Sequence, residues 1–180
     1  MALQPAIKSK MHSFSKGERL CNFTLKNLLF SQGNTFYEYP FKIYWKIVPS
    51  DLESVFWNES VTTYSKKPAD GHWKRAQNPS FPHKTIPANA FFPFPAQVLI
   101  AVPAKIHRKA VVRNHLKRII REAYRQNKAG LYTFLQSKQI QCLCAIVYTG
   151  KSVLAYGEME SKIIVSLQKI ERKIIEQHIN

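Results

Sequence analysis

Nine cations fall between positions 105 and 128: Lys105, Arg108, Lys109, Arg113, Lys117, Arg118, Arg121, Arg125 and Lys128, opposed there by a single carboxylate, Glu122. Arginine offers a planar fork that grips a phosphate with two parallel hydrogen bonds, and lysine a compact point charge. The chemistry of such a segment is polyanion binding. Wound at about 100° per residue, Val112, Leu116, Ile119, Ile120 and Ala123 form an apolar stripe, and Arg113, Lys117, Arg118, Arg121, Arg125 and Lys128 cover the opposite side. Like charges crowded on one helix face repel one another. A polyanion relieves that cost by neutralising them and releasing its own counterions. Asn114 suits a sugar, a base edge, a metal-bound water or a helix cap, and His107 and His115 suit phosphate contacts or exposed imidazoles; the residues alone leave these open.

Bond-breaking chemistry is much less visible. Of the 11 carboxylates, Asp51, Glu53, Glu59 and Asp70 sit in a Pro-rich stretch, and the remaining glutamates form no cluster able to hold catalytic ions. No Ser/His/Asp or Cys/His arrangement stands out. Cys21, Cys142 and Cys144 make neither a CxxC metal pair nor an even set for disulfides. The chain is expected to carry no catalytic residue and no metal site of its own.

The elements that must position the cations can be read from the rest of the 180 residues. With 45% hydrophobic residues the chain can bury a core despite a net charge of +16. No apolar run is long enough for a membrane span, and the first residues lack the apolar core of a secretory signal. A reduced, cytoplasmic protein is the expectation. Residues 1–18 read as a flexible basic leader, and 19–176 as one domain interrupted by a Pro- and aromatic-rich insertion at 49–96. Asn22 is a helix N-cap, Leu25, Leu28 and Leu29 form the inner side of a short helix with Phe30 slightly off it, and Gly33 ends it. FYEYPFKIYWKIV alternates as one strand, with Phe41, Ile43, Trp45 and Ile47 on the packed face and Lys42, Tyr44, Lys46 and Val48 on the polar one. QVLIAV and IQCLCAIVY are buried strands, and SKIIVSLQKIERKIIEQ is an amphipathic helix. The fold class is α+β, a small α/β sandwich.

AVVRNHLKRIIREAYR resembles the protein component of bacterial ribonuclease P, whose basic helix carries a motif close to AV-x-RN-R-x-KR-x-x-RE. Here the motif stands as Ala110-Val111, Arg113-Asn114, Lys117-Arg118 and Arg121-Glu122. ERLCNFTLKNLLFSQG followed by YPFKIYW is similar to the family's opening helix and first aromatic strand, and QVLIAVPAKIHRKAV to the strand and basic turn before its helix. Three positions depart: His115 replaces a second Arg, Ala104 a Lys in the turn, and Lys26 an aromatic of the opening helix. The resemblance implies the order α-β-β-β-α-β-α, which needs one more strand before residue 97. It implies an accessory subunit binding the ribonuclease P RNA and precursor tRNA, with the Mg²⁺ of the reaction held mainly by the RNA. The RNA contacts it implies are Lys105, Arg108, Lys109, Arg113, Asn114, His115, Lys117, Arg118, Arg121 and Arg125. The residues it implies along the single-stranded 5′ leader are Phe30 and Tyr44, and Lys42 and Lys46, on Tyr44's strand face, would extend an electrostatic track beside them. Aromatics suit unpaired bases, since stacking tolerates any sequence.

Two other classes fit the charge. A non-catalytic RNA-binding protein of another assembly, such as a ribosome-associated factor, explains the basic helix but not the flanking order. A DNA reader in a major groove needs base-reading side chains and usually a dimer, and Asn114 alone on a cation-covered face argues against it. Neither DNA nor a membrane is expected as a partner.

Overall fold

Asn22 opens the first helix by accepting a hydrogen bond from the Leu25 amide at 3.2 Å, and the helix (α1) runs Phe23–Gln32. Gly33 ends it with an ordinary negative φ. Its requirement for glycine is close approach, since a Cβ there would lie 2.2 Å from the Leu29 carbonyl oxygen. In the computed structural model the described residues are 13–48 and 94–179, and they belong to one compact unit. Residues 49–93 of the insertion expected at 49–96 and leader residues 1–12 lie outside them, while Ala96, taken as the end of the insertion, already opens a strand.

The stretch read as a single alternating strand is a hairpin. β1 spans Asn34–Glu38 and β2 spans Phe41–Ile47, antiparallel, joined at Tyr39 and Pro40 with a cis peptide between them. β1 supplies the additional strand before residue 97. β3 is Ala96–Ala101, followed by helix α2 at Ala110–Asn127 and helix α3 at Ala129–Ser137. β4 is Cys142–Tyr148 and helix α4 is Tyr156–Ile179. Helix α3 was not expected; its Leu131, Tyr132 and Leu135 are buried, so packing and not a strong helical pattern secures it. The sheet order is β1-β2-β4-β3, with β4 antiparallel to β2 and parallel to β3. β4 is central and buried on both faces, which accounts for its unbroken apolar run CLCAIVY.

The alternation of strand residues divides the sheet into two unlike faces. Phe41, Ile43, Trp45, Val98, Cys142, Cys144, Ile146 and Tyr148 join Leu116, Ile120, Ala123 and Tyr124 of α2 and Met159, Ile163, Leu167, Ile170 and Ile174 of α4 in the main core. The other face is covered by α1, whose Leu25, Leu28 and Leu29 are buried where it packs on β2 and β4. Val48, expected on the wet side of its strand, is also buried.

Residues 13–18 are not a free leader. Lys16–Glu18 form a 3-10 turn, the Leu20 amide donates to the Val98 carbonyl at 3.1 Å along the edge of β3, and Glu18 is fully buried. Lys128, assigned by helical spacing to the cation face, is also buried, with 1% of its side chain exposed, because it sits at the α2–α3 junction. Its ammonium donates to the Glu18 carboxylate and the Ser13 carbonyl. The Tyr132 hydroxyl donates to the same carboxylate at 2.8 Å, and the Ser15 amide to its other oxygen at 2.5 Å. Burial pulls the Lys128 ammonium below its ordinary range, with the Glu18 carboxylate opposing part of that shift.

Removing one partner of a buried pair strands the other charge in the interior. Glu18→Ala is therefore expected to lower unfolding stability by about 3–5 kcal/mol, read from the urea midpoint. Adding Lys128→Met should restore most of the loss. A single variant that unfolds at the wild-type midpoint would show that the pair holds nothing.

Candidate nucleic-acid interface

Helix α2 buries Leu116, Ile120, Ala123 and Tyr124, with Val112 and Ile119 packed at the margin of the core. The stripe read from the sequence is thus the inner face, with Tyr124 added. Arg118 is exposed, and Lys117 and Arg121 are half-buried along the flanks. In the turn before the helix Lys105, Arg108 and Lys109 are all exposed. Among the described residues the ion pairs are Arg125–Glu122, Lys128–Glu18 and Lys169–Glu38, so none of these six cations has a carboxylate partner. Asn114 and His115 are exposed beside them. The helix N-cap is Lys109, so Asn114 lies inside the helix and does not cap it.

Two of the expected contacts are engaged within the protein. The Arg113 guanidinium donates to the backbone carbonyls of His107 at 3.0 Å and Arg108 at 2.5 Å. It ties the basic turn to the helix that follows. Arg125 grips Glu122 through Nε at 2.8 Å, and together with Gln126 holds that carboxyl down to about 2. His107 is neither exposed nor turned outward: its Nε2 lies 2.9 Å from the Gly150 carbonyl oxygen, and its ring packs against Tyr148. A loop residue of this kind has no periodic signal in the sequence.

The second group assembles on the face partly covered by α1. Phe30, 46% exposed, meets Tyr44 edge-on with ring centroids 4.9 Å apart. Lys42 lies over the Tyr44 ring at 5.1 Å, and the Lys46 ammonium is 3.5 Å from the Gln32 carbonyl oxygen at the end of α1. The four residues singled out in the sequence thus stand together. Tyr37 was missed. It pairs with Lys42 across the hairpin, so it shares Tyr44's face, and it is 57% exposed. Reading Pro40 as a turn would have folded β1 back and placed it.

Among the described residues the strands carry no carboxylate on this face. Its strand positions, by register, are Thr35 and Tyr37, then Lys42, Tyr44 and Lys46, then Leu143, Ala145 and Val147, then Gln97, Leu99 and Ala101. Among the described residues no three His, Cys, Asp or Glu side chains stand close enough to hold a metal ion. Burial pushes the Cys142 thiol up to about 12 and Cys144 in the same direction, so neither is a thiolate nucleophile. The arrangement suits binding a flexible polyanion: a cationic ridge, and an aromatic floor flanked by lysines. No helix among the described residues is long and apolar enough to cross a membrane.

A protein-family model described as Ribonuclease P matches residues 57–161. Its described part carries β3, α2, α3, β4 and the start of α4. Two curated relatives named Ribonuclease P protein component, from two strains of Porphyromonas gingivalis, are each 36% identical over 75 residues, which is 42% of this chain and 55% of the relative. The chain thus spans about half the length of these relatives. A solved structure of Staphylococcus aureus RNase P protein is similar over 86% of this chain and 95% of that one, at 13% identity and a TM-score of 0.48.

The Arg113 clamp has a direct consequence in the free protein. Arg113→Ala is expected to speed amide exchange of Ile106 and His107, whose amides turn back to the Pro103 carbonyl, by about tenfold, the equivalent of roughly 1.5 kcal/mol for a lost charged hydrogen bond. Arg118→Ala should leave these amides unchanged. Equal exchange in both variants would mean that the guanidinium does not order the turn.

Proposed function

The chain belongs to the Ribonuclease P family, and from that premise we propose that it is the protein subunit of ribonuclease P, binding the catalytic RNA and the 5′ leader of precursor tRNA. The observation that carries this reading is the set of cations on α2 and its preceding turn, Lys105, Arg108, Lys109, Lys117, Arg118 and Arg121, which have no carboxylate partner among the described residues. These side chains neutralise RNA phosphates and release counterions, so two polyanions, the catalytic RNA and its substrate, can approach each other. Arg113 contributes by holding the turn, and its unengaged guanidinium nitrogens remain for a phosphate. Asn114 and His115 add polar contacts at the same exposed end, and Arg125 extends the charged edge while paired with Glu122.

The leader lies, on this reading, across the face shared by Phe30, Lys42, Tyr44 and Lys46. Its unpaired bases stack on the rings and its phosphates follow the lysines. Mature tRNA lacks a leader, so this face supplies the preference for the precursor. The family's reaction uses Mg²⁺, and the described donor set does not fit such an ion. The reading leaves the ions mainly to the RNA and gives this chain no step in the hydrolysis. A bacterial, cytoplasmic setting and the absence of any membrane or DNA partner belong to the same proposal. The alternative of a ribosome-associated factor gains no support from the family match.

Reconstitution tests the proposal. The full chain, combined with ribonuclease P RNA from the same organism at low Mg²⁺, should cleave 5′-labelled precursor tRNA under conditions where neither component does so alone. Cleavage by the protein alone, or no stimulation of its own RNA, would overturn it. Lys117→Ala with Arg118→Ala should weaken RNA binding and reduce the slope of log affinity against log salt by about two. Tyr44→Ala should lower the preference for precursor over mature tRNA by about fivefold or more with the fold intact by circular dichroism.

A further inference from the structure

One row of residues crosses the open sheet face from edge to edge. Ala101 on β3 pairs with Val147 on β4, Val147 with Lys42 on β2, and Lys42 with Tyr37 on β1. All four point to the same side, because strand residues opposite one another share a face. At about 4.8 Å between strands the row is about 14 Å long. Its β3 end leads directly into the turn that carries Lys105, Arg108 and Lys109. Its floor is low there, since Ala101 and Val147 are small and only half-buried. The far end is Tyr37, 57% exposed, with its hydroxyl 3.4 Å from Thr149 Oγ1. Lys42 stands between two tyrosines, beside Tyr37 across the hairpin and over the Tyr44 ring at 5.1 Å. Glu38, the acid of β1, lies on the opposite face and is bonded to Lys169 at 2.8 Å.

We infer that Tyr37 is a second stacking position for single-stranded RNA, so that an unpaired strand runs along the Ala101–Val147–Lys42–Tyr37 row from the basic turn to the outer edge of the sheet. The charge of the row selects the occupant. It offers an exposed lysine whose ammonium lies over one aromatic ring, an exposed tyrosine paired with it across the hairpin, and no carboxylate, the combination that suits unpaired nucleotides. The inference rests on the reading of this face as the leader site and adds a subsite on β1. Phe30 and Tyr44 engage bases beside α1, and Tyr37 engages a base further along the strand, beyond Lys42. Short single strands fill the first position without reaching the second.

Binding of oligouridylates of increasing length, from about four to about ten nucleotides, within the usual site sizes for single-strand binders, separates the two positions. The full chain, Tyr37→Ala, Tyr37→Phe and Tyr44→Ala are compared, with circular dichroism to confirm folding. Tyr44→Ala should weaken every length. Tyr37→Ala should weaken only the longer oligomers, by about fivefold or more, and Tyr37→Phe, which keeps the ring, should bind as wild type. Wild-type affinity of Tyr37→Ala at every length overturns the β1 subsite and leaves the leader face standing. An equal loss in Tyr37→Phe overturns it too, since the ring would not be the contact. Wild-type affinity of Tyr44→Ala at every length would instead sink the leader reading, independently of Tyr37.

Discussion

Burial of Leu116, Ile120, Ala123 and Tyr124 against the sheet and α4 fixes the direction of every other side chain on α2. A helix has one apolar stripe to give to a core. Once that stripe is committed, the residues between its members must lie at its flanks or point to solvent. In α2 those residues are mostly arginine and lysine, with Glu122 the single acid in the helix. The cationic ridge is therefore a geometric consequence of packing the core. The same packing accounts for the open sheet face. The long helices α2 and α4 both serve one side, which leaves the ten-residue α1 to cover the other. A helix of that length is about 15 Å long and hides Leu143 and Ala145 while leaving Lys42, Tyr44 and Tyr37 in reach of solvent.

Net charge alone overstates what is available to a polyanion. Lys128 is spent in the interior on Glu18, Arg113 on two backbone carbonyls, Lys169 on Glu38 and the Phe36 ring, and Arg125 on Glu122. These engagements differ in kind. The Arg125–Glu122 pair lies at the surface, where such pairs contribute at most about 1 kcal/mol, so a phosphate can compete for it. Lys128 is beyond competition, because drawing it out would leave Glu18 buried without its counter-charge. What remains is the group on the turn and the middle of α2.

The helical period gave the inner face of α2 almost completely, since apolar residues three and four apart come to one side only when the chain is wound as a helix. Strand alternation likewise placed Tyr44, Lys42 and Lys46 together against Phe30. The failures share a cause: each concerns a partner remote in sequence. Lys128 has the same helical phase as an exposed residue, and only Glu18, 110 positions away, makes its burial tolerable. His107 is buried by Gly150, 43 positions on, with no period to announce it. The hairpin was hidden because FYEYPFKIYWKIV alternates straight through its own turn. The chain reverses between Glu38 and Phe41, which moved Tyr37 from the end of a long strand to a place beside Lys42. Helix α3 follows α2 with a break of one residue, and no sequence signal separates them.

The two ends of α2 are held by side-chain polar contacts rather than by ordinary caps. At its start Lys109 provides no side-chain cap, and the turn before it is fixed by Arg113 on the carbonyls of His107 and Arg108 and by His107 on Gly150. At its end Lys128 joins α2 to α3 and to the segment carrying Ser13 and Glu18. A helix studded with like charges tends to fray at its ends, where intrahelical bonds are missing. Fastening both ends to distant parts of the chain lets the cations keep fixed spacing without an anion present. Repulsion among them is then offset by folding in advance. A polyanion that neutralises them gains the full relief of that repulsion and spends little on ordering the helix.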